Sequence, residues 1–115
     1  MGDRFPRGRV SVAGAATFGV GEAPGFATIE IAAQAVRLAL DDAGIALGEV
    51  DGIFVALPDD LFGGLSLAQY LGLHPRFTDN NRTGGASFMS HVVTAVALLE
   101  AGYIDCAVIA HGANQ

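Results

Sequence analysis

The segment from Asn81 to Val96 holds the residues most able to do chemistry: Gly84 and Gly85, then Ser87, then His91 one helical turn later. Paired glycines at the head of a helix let a ligand approach the backbone closely. The free N–H groups and the helix dipole there favour an anion, a thiolate or a developing oxyanion. Ser87 is a candidate substrate contact whose simpler role is hydrogen bonding at the helix start. As a nucleophile it would need a base, and none stands beside it in sequence. His91 falls inside the apolar helix and reads as a satisfied core histidine. A second cluster, His111 with Asn114, follows an apolar strand, the end of the sheet where α/β proteins bind ligands. The motif Gly14-Ala-Ala-Thr-Phe-Gly19 resembles a dinucleotide fingerprint. However, Gly21, Pro24 and Gly25 delay the next helix, so its N-terminus cannot meet a pyrophosphate as that motif requires.

Composition removes several other chemistries. The chain has 115 residues, suited to one domain, with 51% hydrophobic residues and a formal charge of −6. All six basic residues are arginine, so this segment has no lysine for a Schiff base and no basic face for nucleic acid. The single cysteine, Cys106, excludes an internal disulfide and a Cys-based zinc site, and its apolar strand makes it an inert core thiol. The histidines at 74, 91 and 111 lack metal-ligand spacing. The pairs Asp41-Asp42 and Asp59-Asp60 read as solvated surface. No apolar run reaches the roughly 18 residues of a membrane span, and the first residues lack a signal-peptide core, so a cytoplasmic protein is expected.

The elements that must position these residues alternate between strand and helix. Residues 9–16 predict a short buried strand and a glycine-rich loop follows. Thr28 is the expected cap of a helix ending at Gly44. Residues 50–56 form a continuous apolar strand of the kind covered on both faces. A short helix over 65–71 stops at Gly72, and 76–79 predicts a brief strand. Residues 86–101 form a helix that is apolar nearly all round and hence buried on several sides. Gly102 ends it, and 106–110 is the last strand. The expected class is α/β with a mainly parallel sheet. The strands at 9–16, 50–56 and 106–111 should lie parallel in one sheet, with 76–79 at an edge that invites association. A helix buried on both sides needs a further layer that this sequence does not supply, which points to part of a larger fold.

Several segments in order resemble the thiolase superfamily: the helix at 29–43, Val50-Asp51-Gly52-Ile53, the glycine-headed helix, Ala101-Gly102, Asp105 before the last strand, and His111-Gly-Ala-Asn114. The resemblance is closest to the branch related to sterol-carrier-protein-linked thiolases. It implies a three-layer thiolase-like fold, with residues 1–115 as part of the N-terminal domain and a buried central helix. In that family the nucleophilic cysteine heads the central helix. Counting back from Ala101-Gly102 places it at Gly85, which has no nucleophile. What the resemblance implies is a coenzyme A thioester as substrate with no further cofactor, and substrate contacts at Gly84, Gly85, Ser87, His111 and Asn114. It also implies a homodimer in a full-length parent. Branches lacking the cysteine include retro-aldolases that shorten steroid acyl-CoA side chains beside a small OB-fold partner protein. Three functions stay open: a retro-aldol lyase, a non-catalytic acyl-CoA or lipid-binding subunit, and a cysteine-independent acyltransferase. Nucleic acid and membrane are not expected partners.

Overall fold

The structure is a computed structural model and describes residues 10–19, 25, 27–57, 62–80 and 87–112. Three strands, β1 (Gly52–Ala56), β2 (Phe77–Asn80) and β3 (Ala107–His111), form a parallel sheet in the order β2-β1-β3. β1 pairs with β2 from Gly52↔Phe77 to Val55↔Asn80, and with β3 from Gly52↔Ala107 to Ala56↔His111. Every residue of β1 is buried, as its uninterrupted apolar run requires of a central strand.

Helices α1 (Thr28–Ala43) and α2 (Gly63–Leu71) cover one face of the sheet, and α3 (Ser87–Glu100) covers the other. Chain order explains the split. The path from β1 through α2 to β2 moves outward, whereas the path from β2 through α3 to β3 turns back across β1. Right-handed parallel crossovers in opposite directions must put their helices on opposite faces. Side chains alternate accordingly. Ile53, Val55, Val108 and Ala110 join Ala32, Val36 and Leu40 of α1 and Leu67 of α2, while Phe54 meets Ala95 of α3 on the far side.

The helix ends follow the sequence reading in part. Gly44, Gly72 and Gly102 all take left-handed conformations, with φ of 71°, 74° and 77°, and stop the three helices. The cap of α1 is Ala27 rather than Thr28. The Ala27 N–H donates to Glu30 Oε1 at 3.0 Å, so an acidic residue in the first turn does the capping in place of a hydroxyl.

Two expectations need amendment. Residues 10–16 form no strand: among the described residues they pair with nothing in the sheet, and most are exposed. A strand needs a hydrogen-bonded neighbour, and β3, at the near edge of the sheet, stands across a cavity from them. In α3 only Ser87, His91 and Ala95 are buried. Met89 and Val93 remain 68% and 54% exposed, so the second apolar face that the sequence shows is uncovered by the described residues.

Asp51 ties the starting ends of all three strands together. Its carbonyl oxygen accepts the N–H groups of Arg76 (2.8 Å) and Phe77 (3.2 Å), and its own N–H donates to the Cys106 carbonyl (3.0 Å). Its carboxylate accepts the N–H groups of Asp105 (3.0 and 2.9 Å) and Cys106 (2.9 Å). Asp51→Ala removes the acceptor for two backbone donors and is expected to lower stability by about 1–3 kcal/mol. Asp51→Asn, which keeps one acceptor oxygen, should cost less. Urea midpoints at constant m-value measure both. At the other end of the sheet Gly112 lies against the first turn of α1, where a Cβ would overlap the Thr28 carbonyl oxygen. Gly112→Ala should force α1 off the sheet and cost about 1–3 kcal/mol in the same assay.

Candidate functional site

Parallel strands all finish at one edge, and here that edge meets the head of α3. β1 finishes at Ala56, β3 finishes at His111, and α3 begins at Ser87. His111 Nδ1 lies 2.9 Å from the Ala56 carbonyl oxygen. A carbonyl can only accept, so Nδ1 carries the proton, and in the neutral ring Nε2 keeps its lone pair. The Phe88 ring packs edge-on against the imidazole, 5.4 Å between centroids at 85°. This contact brings the first turn of α3, with its positive dipole end, to the end of the two strands. His111 is exposed among the described residues.

Ser87 and His91 are both fully buried and share the face of α3 that rests on the sheet. The His91 ring tilts at 52° over Phe54, 5.7 Å away. Neither of its nitrogens has a hydrogen-bond partner. The expected satisfied core histidine is thus in the core but unsatisfied. The same observation shows that Ser87 and His91 are not a hydrogen-bonded nucleophile and base. Burial holds the His91 imidazole below its ordinary pKa of 6.5, and the Asp79 carboxylate pulls weakly the other way. A buried ring without a partner favours its neutral form because charging it would forfeit hydration.

Of the five expected substrate contacts, Ser87 and His111 are placed at this edge, while Gly84, Gly85 and Asn114 lie outside the described residues. Cys106 sits at the opposite end of β3, half-buried. Burial pushes its thiol pKa up, and the carboxylates of Asp51 and Glu49 add to the rise, so it stays protonated and weakly nucleophilic. Sequence reasoning missed the role of Asp51. Its available signal was an acidic residue placed directly ahead of a buried apolar strand, where only backbone donors could satisfy it. Among the described residues no group of three His, Cys, Asp or Glu side chains could hold a metal ion, and no helix is long and apolar enough to cross a membrane.

No protein-family model and no curated protein matches the chain. Solved structures do. A variant of OleA from Xanthomonas campestris is 24% identical, over 81% of this chain and 29% of OleA, with a TM-score of 0.72. A related OleA structure holds lauric acid and lauroyl-CoA, with a TM-score of 0.73. FabH, the 3-oxoacyl-(acyl carrier protein) synthase III of Xanthomonas oryzae pv. oryzae, is 24% identical over the same shares, with a TM-score of 0.72. The Ltp2–ChsH2 aldolase is 24% identical over 84% of this chain and 25% of that one, at 0.73. At these identities the likeness establishes the fold, a thiolase-like α/β architecture. The chain spans under a third of the length of these neighbours.

The buried neutral His91 generates a pH dependence. Its folded pKa is lowered, so below 6.5 the unfolded chain binds a proton that the folded chain refuses. Stability is therefore full above pH 6.5 and falls as the pH drops, until the folded ring also protonates. One proton limits the slope to about 1.4 kcal/mol per pH unit. Denaturation midpoints between about pH 7 and pH 5 should show this loss, and His91→Leu should flatten it.

Proposed function

We propose that this chain is part of the N-terminal domain of a thiolase-like protein that handles acyl-CoA thioesters without a cysteine nucleophile. The reaction we assign is carbon–carbon bond cleavage of the retro-aldol type in lipid or steroid side-chain degradation. The observation that carries the reading is the meeting of the α3 head with the His111 end of β3, in a fold shared with OleA, FabH and an aldolase. The lauroyl-CoA bound to OleA supports a coenzyme A thioester as the ligand class.

Retro-aldol cleavage of a 3-hydroxyacyl thioester removes the hydroxyl proton, breaks the bond between the α and β carbons, and sends the electron pair to the thioester carbonyl as an enolate. No bond to the protein forms, so a glycine at the helix head suffices. Backbone N–H groups at Gly84 and Gly85 would hold the enolate oxygen, where the dipole of α3 favours negative charge. His111 Nε2 would accept a hydrogen bond from the substrate, Asn114 would line its path, and Ser87, buried beneath, would support the helix head. Gly102, which ends α3 in the structure, supports the count that puts Gly85 at the family's cysteine position. The acid and base would come from the remainder of the full-length parent. That parent would form a homodimer along the β2 edge. The two-protein name of the Ltp2–ChsH2 aldolase supports a partner protein, which by the family resemblance would be a small OB-fold one.

Lauroyl-CoA should bind the protein reversibly and leave no acyl adduct in intact-mass spectra. Gly85→Cys should create a thiol that reacts with iodoacetamide at neutral pH on the order of tenfold faster than Cys106, because a helix N-terminus stabilises thiolate. A stable adduct on Ser87 or Cys106 of the unaltered chain would mean a relocated nucleophile and an acyltransferase. An unreactive thiol at 85 would overturn the register along α3. Reversible binding with no cleavage of a 3-hydroxyacyl-CoA by the full-length parent would favour a binding subunit.

A further inference from the structure

A neutral imidazole carries one donor and one acceptor, and its surroundings decide which nitrogen is which. At the end of β3 the backbone makes that choice. His111 pairs with Ala56 in the ladder between β1 and β3, and its Nδ1–H donates to the Ala56 carbonyl oxygen at 2.9 Å. The two ring nitrogens point in nearly opposite directions, so the Nε2 lone pair is directed away from β1. Neither a ring flip nor a change of tautomer keeps this bond. The flip would put Cδ2 against the carbonyl, and the other tautomer would set two lone pairs face to face.

Two further elements hold the residue. Phe88, in the first turn of α3, packs edge-on with 5.4 Å between ring centroids and fixes the tilt of the imidazole. Gly112, the next residue along the chain, lies against the Thr28 carbonyl at the start of α1, where a Cβ would overlap it. β1, α1 and α3 thus converge on one side chain. A group held in this way is ordered before a ligand arrives, so binding has little rotamer freedom left to remove.

The convergence creates a two-point pattern. The head of α3 is a donor, because the first N–H groups of a helix have no partner within it and the dipole favours negative charge. His111 Nε2 is an acceptor. Phe88 belongs to the first turn of α3 and touches His111, so donor and acceptor stand one side-chain contact apart. In an acyl thioester substituted at C3, the carbonyl carbon and C3 are two bonds apart, which keeps their oxygens similarly close. The carbonyl oxygen accepts in every such thioester. The oxygen on C3 donates only as a hydroxyl; as a ketone it sets a lone pair against that of Nε2.

We propose that His111 is a specificity-determining residue that reads the oxidation level of C3, admitting 3-hydroxyacyl thioesters and disfavouring 3-oxoacyl thioesters. The proposal rests on the acyl-thioester reading above and deepens it. A 3-hydroxyl keeps its hydrogen bond on leaving water, whereas a 3-oxo group loses one and leaves Nε2 unpaired. The difference is one neutral hydrogen bond, on the order of tenfold in affinity. Retro-aldol cleavage requires such a filter. A 3-oxoacyl thioester has no hydroxyl proton to give up and would occupy the site unproductively.

Calorimetric titration of the protein with 3-hydroxylauroyl-CoA, 3-oxolauroyl-CoA and lauroyl-CoA, at about pH 8 where imidazole is neutral, tests this. The hydroxyl ligand should bind on the order of tenfold more tightly than the oxo ligand, and His111→Leu should bring that ratio to about one. Nitrogen NMR of the unaltered protein is a second measurement that does not depend on the variant folding. It should show Nδ1 protonated and Nε2 bare, with the Nε2 resonance moving on addition of the hydroxyl ligand and not of the oxo ligand. A protonated Nε2 in the neutral ring overturns the proposal. Equal affinity for the hydroxyl and oxo ligands, with lauroyl-CoA still bound, overturns it too and leaves the acyl-thioester reading standing. A folded His111→Leu variant that keeps the preference assigns it to another group, with the same consequence. If none of the three ligands binds, the acyl-thioester reading falls and the proposal with it.

Discussion

The Asp51 carboxylate, with the peptide groups on either side of it, sets the geometry on which the rest of the structure depends. Parallel strands cannot be joined by tight turns, so nothing local fixes where β1, β2 and β3 start relative to one another. Asp51 does this at long range: its carbonyl gathers the chain entering β2, and its side chain gathers the chain entering β3. Once the starting ends are in register, the finishing ends follow, because the rise per residue is common to all three strands. Ala56 then stands beside His111, and the imidazole reaches the Ala56 carbonyl. A carboxylate at one end of the sheet thus determines where a histidine is held at the other.

Close packing on the α1 face and loose cover on the α3 face divide the molecule. Ala32 and Ala33 let α1 approach the sheet, and Gly112 admits the Thr28 carbonyl. On the opposite face α3 touches the sheet through Ser87, His91 and Ala95 and leaves Met89, Val92 and Val93 exposed. The cost of this arrangement concentrates at His91, a polar ring with no partner, kept neutral by its surroundings. Among the described residues both the apolar excess of α3 and the outer edge of β3 are left uncovered.

The candidate site was legible in fragments. Two glycines before an apolar helix and a histidine after an apolar strand are local patterns, and each is readable without a structure. That Ser87 lies buried beside His91 with no hydrogen bond between them is not local. It depends on the rotation of α3 about its axis, which is set by the fit of Phe54 against the helix.

Local sequence is enough to specify the elements: three glycine-stopped helices, a central strand with a continuous apolar run, and an alternation that implies an α/β fold with a mainly parallel sheet. Those properties follow from backbone conformation and from hydrophobic periodicity, both encoded within a few residues. Which extended segments become strands is settled only when the chain is folded. Residues 9–16 have the composition of one, yet a strand exists only where a neighbour supplies hydrogen bonds, and residues 10–16 face a cavity across from β3. Likewise Asp51 reads locally as one acidic residue before a strand. Its role arises because Asp105 and Cys106, 54 and 55 positions away along the chain, are folded against its carboxylate.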